Sequence, residues 1–186
     1  MHVHPGTLIR CHAAIFVILA TALLWSPSTS RAQGSSGSDS DTLASPIEWP
    51  GFETAIEAAS ESGKIVLIDI FSPHCGWCRK LQSEIYTQPH VQEYVNEHFE
   101  LGRLDITVYS DSVAYRGYEM SQAAMAASFG SRGTPTTIFL ESNGDYITRL
   151  PGFHETAEFM AVLRYIGSRA YEDQTFEEYL SAISGD

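Results

Sequence analysis

The sequence predicts an α/β domain in which a central mixed β-sheet is flanked by helices. Strand and helix patterns alternate from about residue 47, and one strand, Ile65–Phe71, is apolar almost throughout. Such a continuous run is typical of a central strand that is covered on both faces. Further along, Asn143-Gly144 separates two strand patterns, which predicts an antiparallel hairpin beside the parallel strands.

The first predicted helix covers Phe52–Ser62. Apolar residues recur there at helical spacing, and Gly63 is a favoured helix terminator. The apolar strand follows directly. A helical pattern resumes after Cys78 and is expected to break at Pro89, because proline lacks the amide hydrogen that a helix interior needs.

A strand over residues 101–106 then completes a strand–helix–strand unit. The strands of such a unit are parallel, and open α/β sheets place their sites at the carboxyl ends of their strands. Cys75 and Cys78 lie immediately after the first of these strands. The unit therefore puts both cysteines where a functional site is expected.

The C-terminal half is predicted to contain shorter elements. Residues 107–119 are polar, contain three tyrosines and are expected to form a loop, and a short Ala/Met-rich helix follows and ends near Gly130. The hairpin strands cover Thr136–Leu140 and residues 146–150. A helix is predicted over residues 155–166.

A last, short helix is predicted near the C-terminus. Thr175 and Glu178 have the spacing of a capping box, in which each side chain binds a backbone amide of the first turn. We therefore expect a domain over residues 47–170, followed by a helical extension over residues 171–186. No internal repeat or second domain is predicted.

The N-terminal segment has the features of a signal peptide over residues 1–32. Its apolar stretch, residues 13–25, is shorter than the roughly 20 residues that span a bilayer, and Ser30-Arg31-Ala32 has small residues at cleavage spacing. An uncleaved membrane anchor is the alternative. Residues 33–46 are rich in Gly, Ser and Asp and are expected to form a flexible linker. Cleavage would leave a periplasmic or secreted protein without a membrane span.

The charge of the chain argues against nucleic acid as a partner. The full chain carries 11 basic and 23 acidic residues and is therefore strongly negative. The part that follows residue 32 is strongly negative as well. Proteins that bind nucleic acid instead present basic surfaces to the phosphates.

Cys75-Gly76-Trp77-Cys78 is the motif that carries chemistry. Helix N-termini present unpaired amides and partial positive charge, which favour a thiolate, so Cys75 is expected to be nucleophilic and Cys78 to close a disulfide with it. Cys11 lies in the segment expected to be removed. A zinc site needs four ligands and this motif supplies two, so no metal is expected, and no flavin or nucleotide motif points to a cofactor.

Three features in order resemble the thioredoxin superfamily: a strand that ends in Asp69-Ile70-Phe71, the Cys-Gly-Trp-Cys motif at a helix start, and Arg132-Gly-Thr-Pro-Thr before a hairpin. The resemblance implies the thioredoxin fold. Within the superfamily, the chain looks most similar to exported bacterial thioredoxin-like proteins, including the periplasmic thioredoxins linked to sulfur oxidation.

The resemblance also implies roles for individual residues. A cis peptide bond between Thr134 and Pro135 would face the disulfide and pair with the substrate backbone. Asp69 would be a buried carboxyl with a raised pKa that moves the proton of the second cysteine; a purely structural carboxylate is the alternative. Trp77 replaces the usual proline and is a candidate substrate contact, and His74, if cationic, would stabilise the thiolate.

The expected function is reduction of disulfides in exported proteins, by attack of the first cysteine and resolution by the second. The partners would be protein disulfide or dithiol substrates and a membrane or soluble protein that restores the reduced state. A disulfide oxidase or isomerase on the same fold is the main alternative. A peptide-binding module with a silent cysteine pair is the more distant one.

Overall fold

A computed structural model describes residues 46–185. The signal peptide predicted over residues 1–32 and Cys11 within it lie outside the described residues, as does nearly all of the linker predicted over residues 33–46. The domain boundaries proposed from the sequence stay predictions.

The described residues form six α-helices and six strands, with one π-helical and one 3₁₀ segment. The helices are α1 (Phe52–Ser62), α2 (Gly76–Lys80), α3 (Pro89–His98), α4 (Gln122–Ser128), α5 (Thr156–Gly167) and α6 (Phe176–Ser184). The strands are β1 (Ile65–Phe71), β2 (Phe99–Asp105), β3 (Ser112–Tyr115), β4 (Tyr118–Ser121), β5 (Thr136–Leu140) and β6 (Tyr146–Pro151). The π-helix covers Leu81–Ile85 and the 3₁₀ segment covers Ala170–Glu172.

Four strands form the central sheet in the order β2-β1-β5-β6. β1 runs parallel to β2 and antiparallel to β5, and β6 is antiparallel to β5. The sheet is therefore mixed, and helices cover both of its faces, which confirms the predicted fold class. β1 is central, and every residue from Ile65 to Ile70 is buried.

Two apolar layers hold the helices on the sheet, and β1 contributes alternate residues to each. Val66, Ile68 and Ile70 pack in the layer that contains residues of α1 and α4. Ile65 and Leu67 pack in the other layer, with residues of the π-helix, α3 and α5. Because side chains alternate along a strand, Asp69 points to the same side as Leu67. That side also carries the helix that starts at the cysteines.

Residues 107–119 are not a simple loop, so that prediction was wrong. β3 and β4 pair as an antiparallel hairpin within and just beyond this stretch. The turn consists of Arg116 and Gly117, both with positive φ (51° and 83°), a combination that suits a two-residue hairpin turn. Val113 is the buried residue of β3 and anchors the hairpin in the apolar layer beside α1 and α4.

Other elements agree with the prediction in type and differ at their ends. β2 begins at Phe99, two residues before the predicted start, because Phe99 extends the pairing with β1 at Ile65. The predicted break at Pro89 is confirmed, since Pro89 is the first residue of α3. The π-helix before it was not predicted.

The C-terminal helix begins with the predicted capping box. The Thr175 side chain accepts a hydrogen bond from the Glu178 amide, and the Glu178 carboxylate accepts one from the Thr175 amide. Tyr165 of α5 contacts the rings of Phe176 and Tyr179, with centroids 5.2 and 5.3 Å away. The extension therefore packs against α5.

Candidate active site

Cys75 and Cys78 form a disulfide at the start of α2, with their Cα atoms 5.2 Å apart. Cys75 is the N-cap residue of the helix, and its sulfur accepts a hydrogen bond from the Cys78 amide at 3.0 Å. Cys78 is only 3 % exposed, whereas Cys75 is half-buried. Of the two sulfur atoms, that of Cys75 belongs to the more accessible residue and has the amide contact that stabilises negative charge.

The loop before β5 faces this disulfide. The Thr134–Pro135 peptide bond is cis, and the Thr134 carbonyl oxygen lies 3.4 Å from the Cys75 sulfur. The Gly152 amide donates to the Pro135 carbonyl (2.9 Å), and the Thr136 hydroxyl donates to the Gly133 carbonyl (2.7 Å). These bonds hold the loop beside Cys75.

Trp77 forms an aromatic surface next to the cysteines. Its side chain is 58 % exposed, and its ring centroid lies 5.5 Å from that of Phe153. The Lys80 ammonium sits 4.3 Å from the Phe153 centroid and 3.6 Å from carboxylates of Glu84 and Glu155. The exposed indole is thus supported from one side and open to solvent on the other.

His74 precedes Cys75 and is exposed. Its backbone amide donates to the Ser72 hydroxyl at 3.2 Å, which shapes the turn into α2. Within residues 46–185, the imidazole makes no hydrogen bond or ion pair. His74 therefore lies beside the redox pair because it directly precedes Cys75 in the chain, and no side-chain hydrogen bond or ion pair within residues 46–185 fixes its imidazole there.

Asp69 is buried beneath this region, with 1 % of its surface exposed. Its Oδ2 atom accepts hydrogen bonds from the Arg103 guanidinium at 3.0 and 2.7 Å and from the Gln82 amide at 3.2 Å. Oδ1 has no hydrogen-bond partner among the described residues. Burial raises the pKa of the Asp69 carboxyl, and the Arg103 charge and hydrogen bonds oppose that rise.

The sequence analysis did not identify Arg103 as part of the site. The parallel register of β1 and β2 sets it opposite Asp69. Its guanidinium lies between two rings, 4.5 Å from the Trp49 centroid and 4.2 Å from that of Phe71. The parallel pairing of the two strands was predicted, and its register is the signal that could have found this ion pair.

The described part of the chain offers no cluster of His, Cys, Asp and Glu that could hold a metal ion. None of its helices has the length and apolar character needed to cross a membrane.

Curated proteins similar to this chain include two thiol:disulfide interchange proteins named DsbD. The one from Tatumella citrea is 24% identical over 110 residues, which are 58% of this chain and 17% of that protein. The one from Haemophilus ducreyi is 28% identical over 103 residues, 54% of this chain and 16% of that protein. The chain thus matches less than a fifth of the length of each of these relatives.

Solved structures share the fold. A thioredoxin-fold protein from Helicobacter pylori aligns with a TM-score of 0.57 at 22% identity, over 66% of this chain and 86% of that one. A putative disulphide-isomerase from Bacteroides thetaiotaomicron gives 0.54 at 23% identity, over 71% and 98%. A thioredoxin from Thermus thermophilus gives 0.53 at 22%, over 66% and 88%.

A family model described as the thioredoxin-like domain matches residues 52–167. The match runs from the first residue of α1 to the last residue of α5. It includes the strand with Asp69, both cysteines and the loop with Pro135. The chain belongs to the thioredoxin-like domain family.

Proposed function

We propose that this chain is an exported thiol–disulfide oxidoreductase that reduces disulfides of extracytoplasmic proteins. The observation that carries the proposal is the contrast between a half-buried Cys75 facing the Thr134 carbonyl and a buried Cys78 bonded to it. The DsbD relatives are named thiol:disulfide interchange proteins, which supports the same chemistry.

In the reduced protein, Cys75 is the attacking thiolate. The Cys78 amide that now donates to its sulfur at 3.0 Å favours the charged form, since a hydrogen bond to an anion is stronger than one to a neutral thiol. The thiolate attacks one sulfur of a client disulfide. The client S–S bond breaks, a bond from Cys75 to the client forms, and the second client sulfur leaves as a thiolate.

Cys78 then resolves this mixed disulfide. Its thiol loses a proton, and the resulting thiolate attacks the Cys75 sulfur. The bond from Cys75 to the client breaks, and the client leaves with both of its cysteines reduced. Two electrons have passed from the cysteine pair to the client, and the protein holds the Cys75–Cys78 disulfide. A membrane or soluble dithiol partner has to reduce it before the next cycle.

Asp69 is the proposed acceptor of the Cys78 proton. Its carboxyl is buried on the side of the sheet that carries the cysteine helix, and burial raises its pKa, which makes the carboxylate a stronger base. The unpartnered Oδ1 atom is free to take up a proton while Oδ2 stays bound to Arg103. Arg103 is a positioning residue for this carboxyl.

The remaining site residues are proposed to handle the client. The Thr134 and Pro135 backbone lies beside the Cys75 sulfur and offers polar groups to an extended client segment. The exposed ring of Trp77 offers apolar contact on the other side of Cys75. His74, when protonated, adds positive charge near the thiolate. A signal peptide over residues 1–32 would bring the domain to the periplasm or the exterior.

The reduction potential of the cysteine pair tests the proposed direction of electron flow. The protein is equilibrated with glutathione buffers of graded composition, and the oxidised fraction is measured by thiol alkylation and mass spectrometry. A reductase is expected to have a potential near that of thioredoxin, about −270 mV. A value near about −120 mV would overturn the proposed direction and mark a disulfide donor.

A further inference from the structure

Two arginines line a groove that adjoins the redox pair at Thr134. The groove has a volume of about 450 Å³ and is bounded by residues 130–136 and the end of β6. Thr134, whose carbonyl oxygen is 3.4 Å from the Cys75 sulfur, forms part of its wall. Arg132 and Arg149 line the same groove. A polypeptide segment in contact with Cys75 therefore passes both guanidinium groups if it follows the groove.

Arg149 also lines a second cavity of about 430 Å³ that shares Gly130 with the first. Its Nη1 atom lies 3.4 Å from the Tyr146 hydroxyl and 2.9 Å from the point where a Cβ at Gly130 would stand. The guanidinium thus lies directly against the glycine, where any other residue would displace it. The two cavities adjoin at Gly130 and Arg149, and the second is also lined by Tyr115 and Arg116 of the β3–β4 hairpin.

Among residues 46–185, no carboxylate oxygen lies within 4.0 Å of a side-chain nitrogen of either Arg132 or Arg149. Among the nine lysines and arginines of residues 46–185, five have a carboxylate oxygen within 4.0 Å. The four without one are Arg79, Arg132, Arg149 and Arg164. None of the residues that line the two cavities is Asp or Glu. A chain with a formal net charge of −12 therefore keeps unpaired positive charge beside its redox pair.

We propose that this groove selects client segments that carry an aspartate or glutamate close to the cysteine that Cys75 attacks. The inference rests on the proposed function and names its substrate class. Arg132 is two residues from Thr134, and two extended residues span at most about 7 Å, so a carboxylate within about three residues of the client cysteine reaches Arg132. Arg149 lines the same groove and is available to a carboxylate farther along it. A planar guanidinium binds a carboxylate through two parallel hydrogen bonds, which gives geometric selectivity as well as attraction.

The negative charge of the rest of the protein does not cancel this preference. At physiological ionic strength, charges more than about 8 Å apart are largely screened from each other. A client carboxylate in the groove is within contact distance of Arg132 and Arg149. The acidic residues elsewhere on the surface therefore reduce the affinity for an acidic client only slightly. The contact between the client carboxylate and the two arginines determines which segment binds.

Three oxidised peptide dimers test the preference. They are identical except at the residues that flank their single cysteine, which are Glu, Gln or Lys. The rate constant for reduction of each dimer by the reduced protein is measured by separation of peptide thiol from disulfide. Each exposed guanidinium–carboxylate contact changes binding by roughly 1.4- to fivefold, so two contacts predict about a two- to twenty-fivefold advantage of the Glu peptide over the Gln peptide.

Variants identify the groups responsible. Arg132→Gln combined with Arg149→Gln is expected to bring the Glu-to-Gln rate ratio close to one. Arg164→Gln is the matched control, because Arg164 is also an exposed, unpaired arginine but lies on α5, outside both cavities. In the unmodified protein, raising NaCl from about 0.15 to about 0.5 M is expected to shrink the ratio, which tests the charge without any substitution.

The outcomes separate this inference from the proposed function. Equal rates for the three peptides, or a Glu preference that survives the double substitution, would overturn the groove selectivity while leaving thiol–disulfide exchange intact. Failure of the protein to reduce any of the peptides would contradict the proposed function, and the selectivity would fall with it. A Glu preference that the double variant loses and the Arg164 variant keeps supports the inference.

Discussion

At the scale of single residues, Asp69 is a carboxyl that the fold holds almost out of contact with water. It is 1 % exposed, two opposing effects act on its pKa, and one of its oxygens lacks a partner among the described residues. Burial raises the pKa and Arg103 lowers it, with burial the larger effect. The protonation state of this carboxyl therefore affects both the proposed proton transfer and the stability of the fold.

This coupling predicts how stability depends on pH. The folded pKa of Asp69 lies above its ordinary value of 3.8, so between the two the folded protein holds more protons than the unfolded chain. Its contribution to the free energy of unfolding is therefore present below pH 3.8 and is lost as the pH rises through the folded pKa, by up to about 1.4 kcal/mol per pH unit. Asp69→Asn removes this contribution.

Urea unfolding of both proteins from about pH 4 to about pH 8 measures the difference. The stability of the unsubstituted protein minus that of the Asp69→Asn variant is expected to fall with rising pH. The same comparison is made in an Arg103→Met background, with and without Asp69→Asn. There the stability difference is expected to keep falling to higher pH, because the positive charge that lowers the Asp69 pKa is gone. A difference that does not change with pH would show that the Asp69 pKa is not raised.

At the scale of elements, the close approach of α1 to β2 depends on Gly102. A Cβ at Gly102 would stand 2.6 Å from Ala55 Cβ and 2.7 Å from Ile68 Cδ1. Both neighbours are buried, so neither has space to move away. The helix lies this near the sheet because the strand has no side chain at that point.

Gly102→Ala is therefore expected to destabilise the fold by about 1–3 kcal/mol, the usual effect of an extra methyl group in a packed core. Gly133→Ala is the control, since a Cβ there meets nothing within 4 Å. Urea unfolding of the two variants measures both effects. Equal stabilities would contradict the packing described for α1 and β2.

The cap of α6 predicts local stability. Thr175→Ala removes the side chain that accepts the Glu178 amide, and such a loss typically destabilises a helix by about 1 kcal/mol. Faster hydrogen exchange is expected for the amides of α6, with α1 amides as the internal reference. If the rates in α6 were unchanged, the capping box would not contribute to holding the extension.

Elements with strong local signals could be predicted from the sequence, whereas elements that depend on long-range contacts could not. The apolar run of β1, the Asn143-Gly144 turn and the Thr175 cap are each determined by neighbouring residues. The β3–β4 hairpin has weak local signals: Val113 is its one buried residue, and its turn places Arg116, not a glycine or asparagine, at positive φ. It forms because Val113 can pack under α1 and α4.

At the scale of the whole molecule, some residues of the site have a local sequence motif, whereas others reach the site only through long-range contacts. The cysteines could be predicted from their spacing and their position after β1, and the loop with Pro135 through the resemblance to the thioredoxin superfamily, although the two are 60 positions apart in the chain. Arg103 and Arg149 have no motif. They join the site only through the register of β2 with β1 and the position of β6 at the sheet edge.

In the proposed mechanism, electrons reach a client through Cys75, and Cys78 resolves the intermediate. The most direct test is capture of that intermediate by the reduced Cys78→Ser variant mixed with oxidised insulin. We expect a covalent adduct that dithiothreitol releases and that mass spectrometry locates on Cys75, with none formed by Cys75→Ser. Failure of the Cys78→Ser variant to capture insulin, or an equal yield from Cys75→Ser, would contradict the claim.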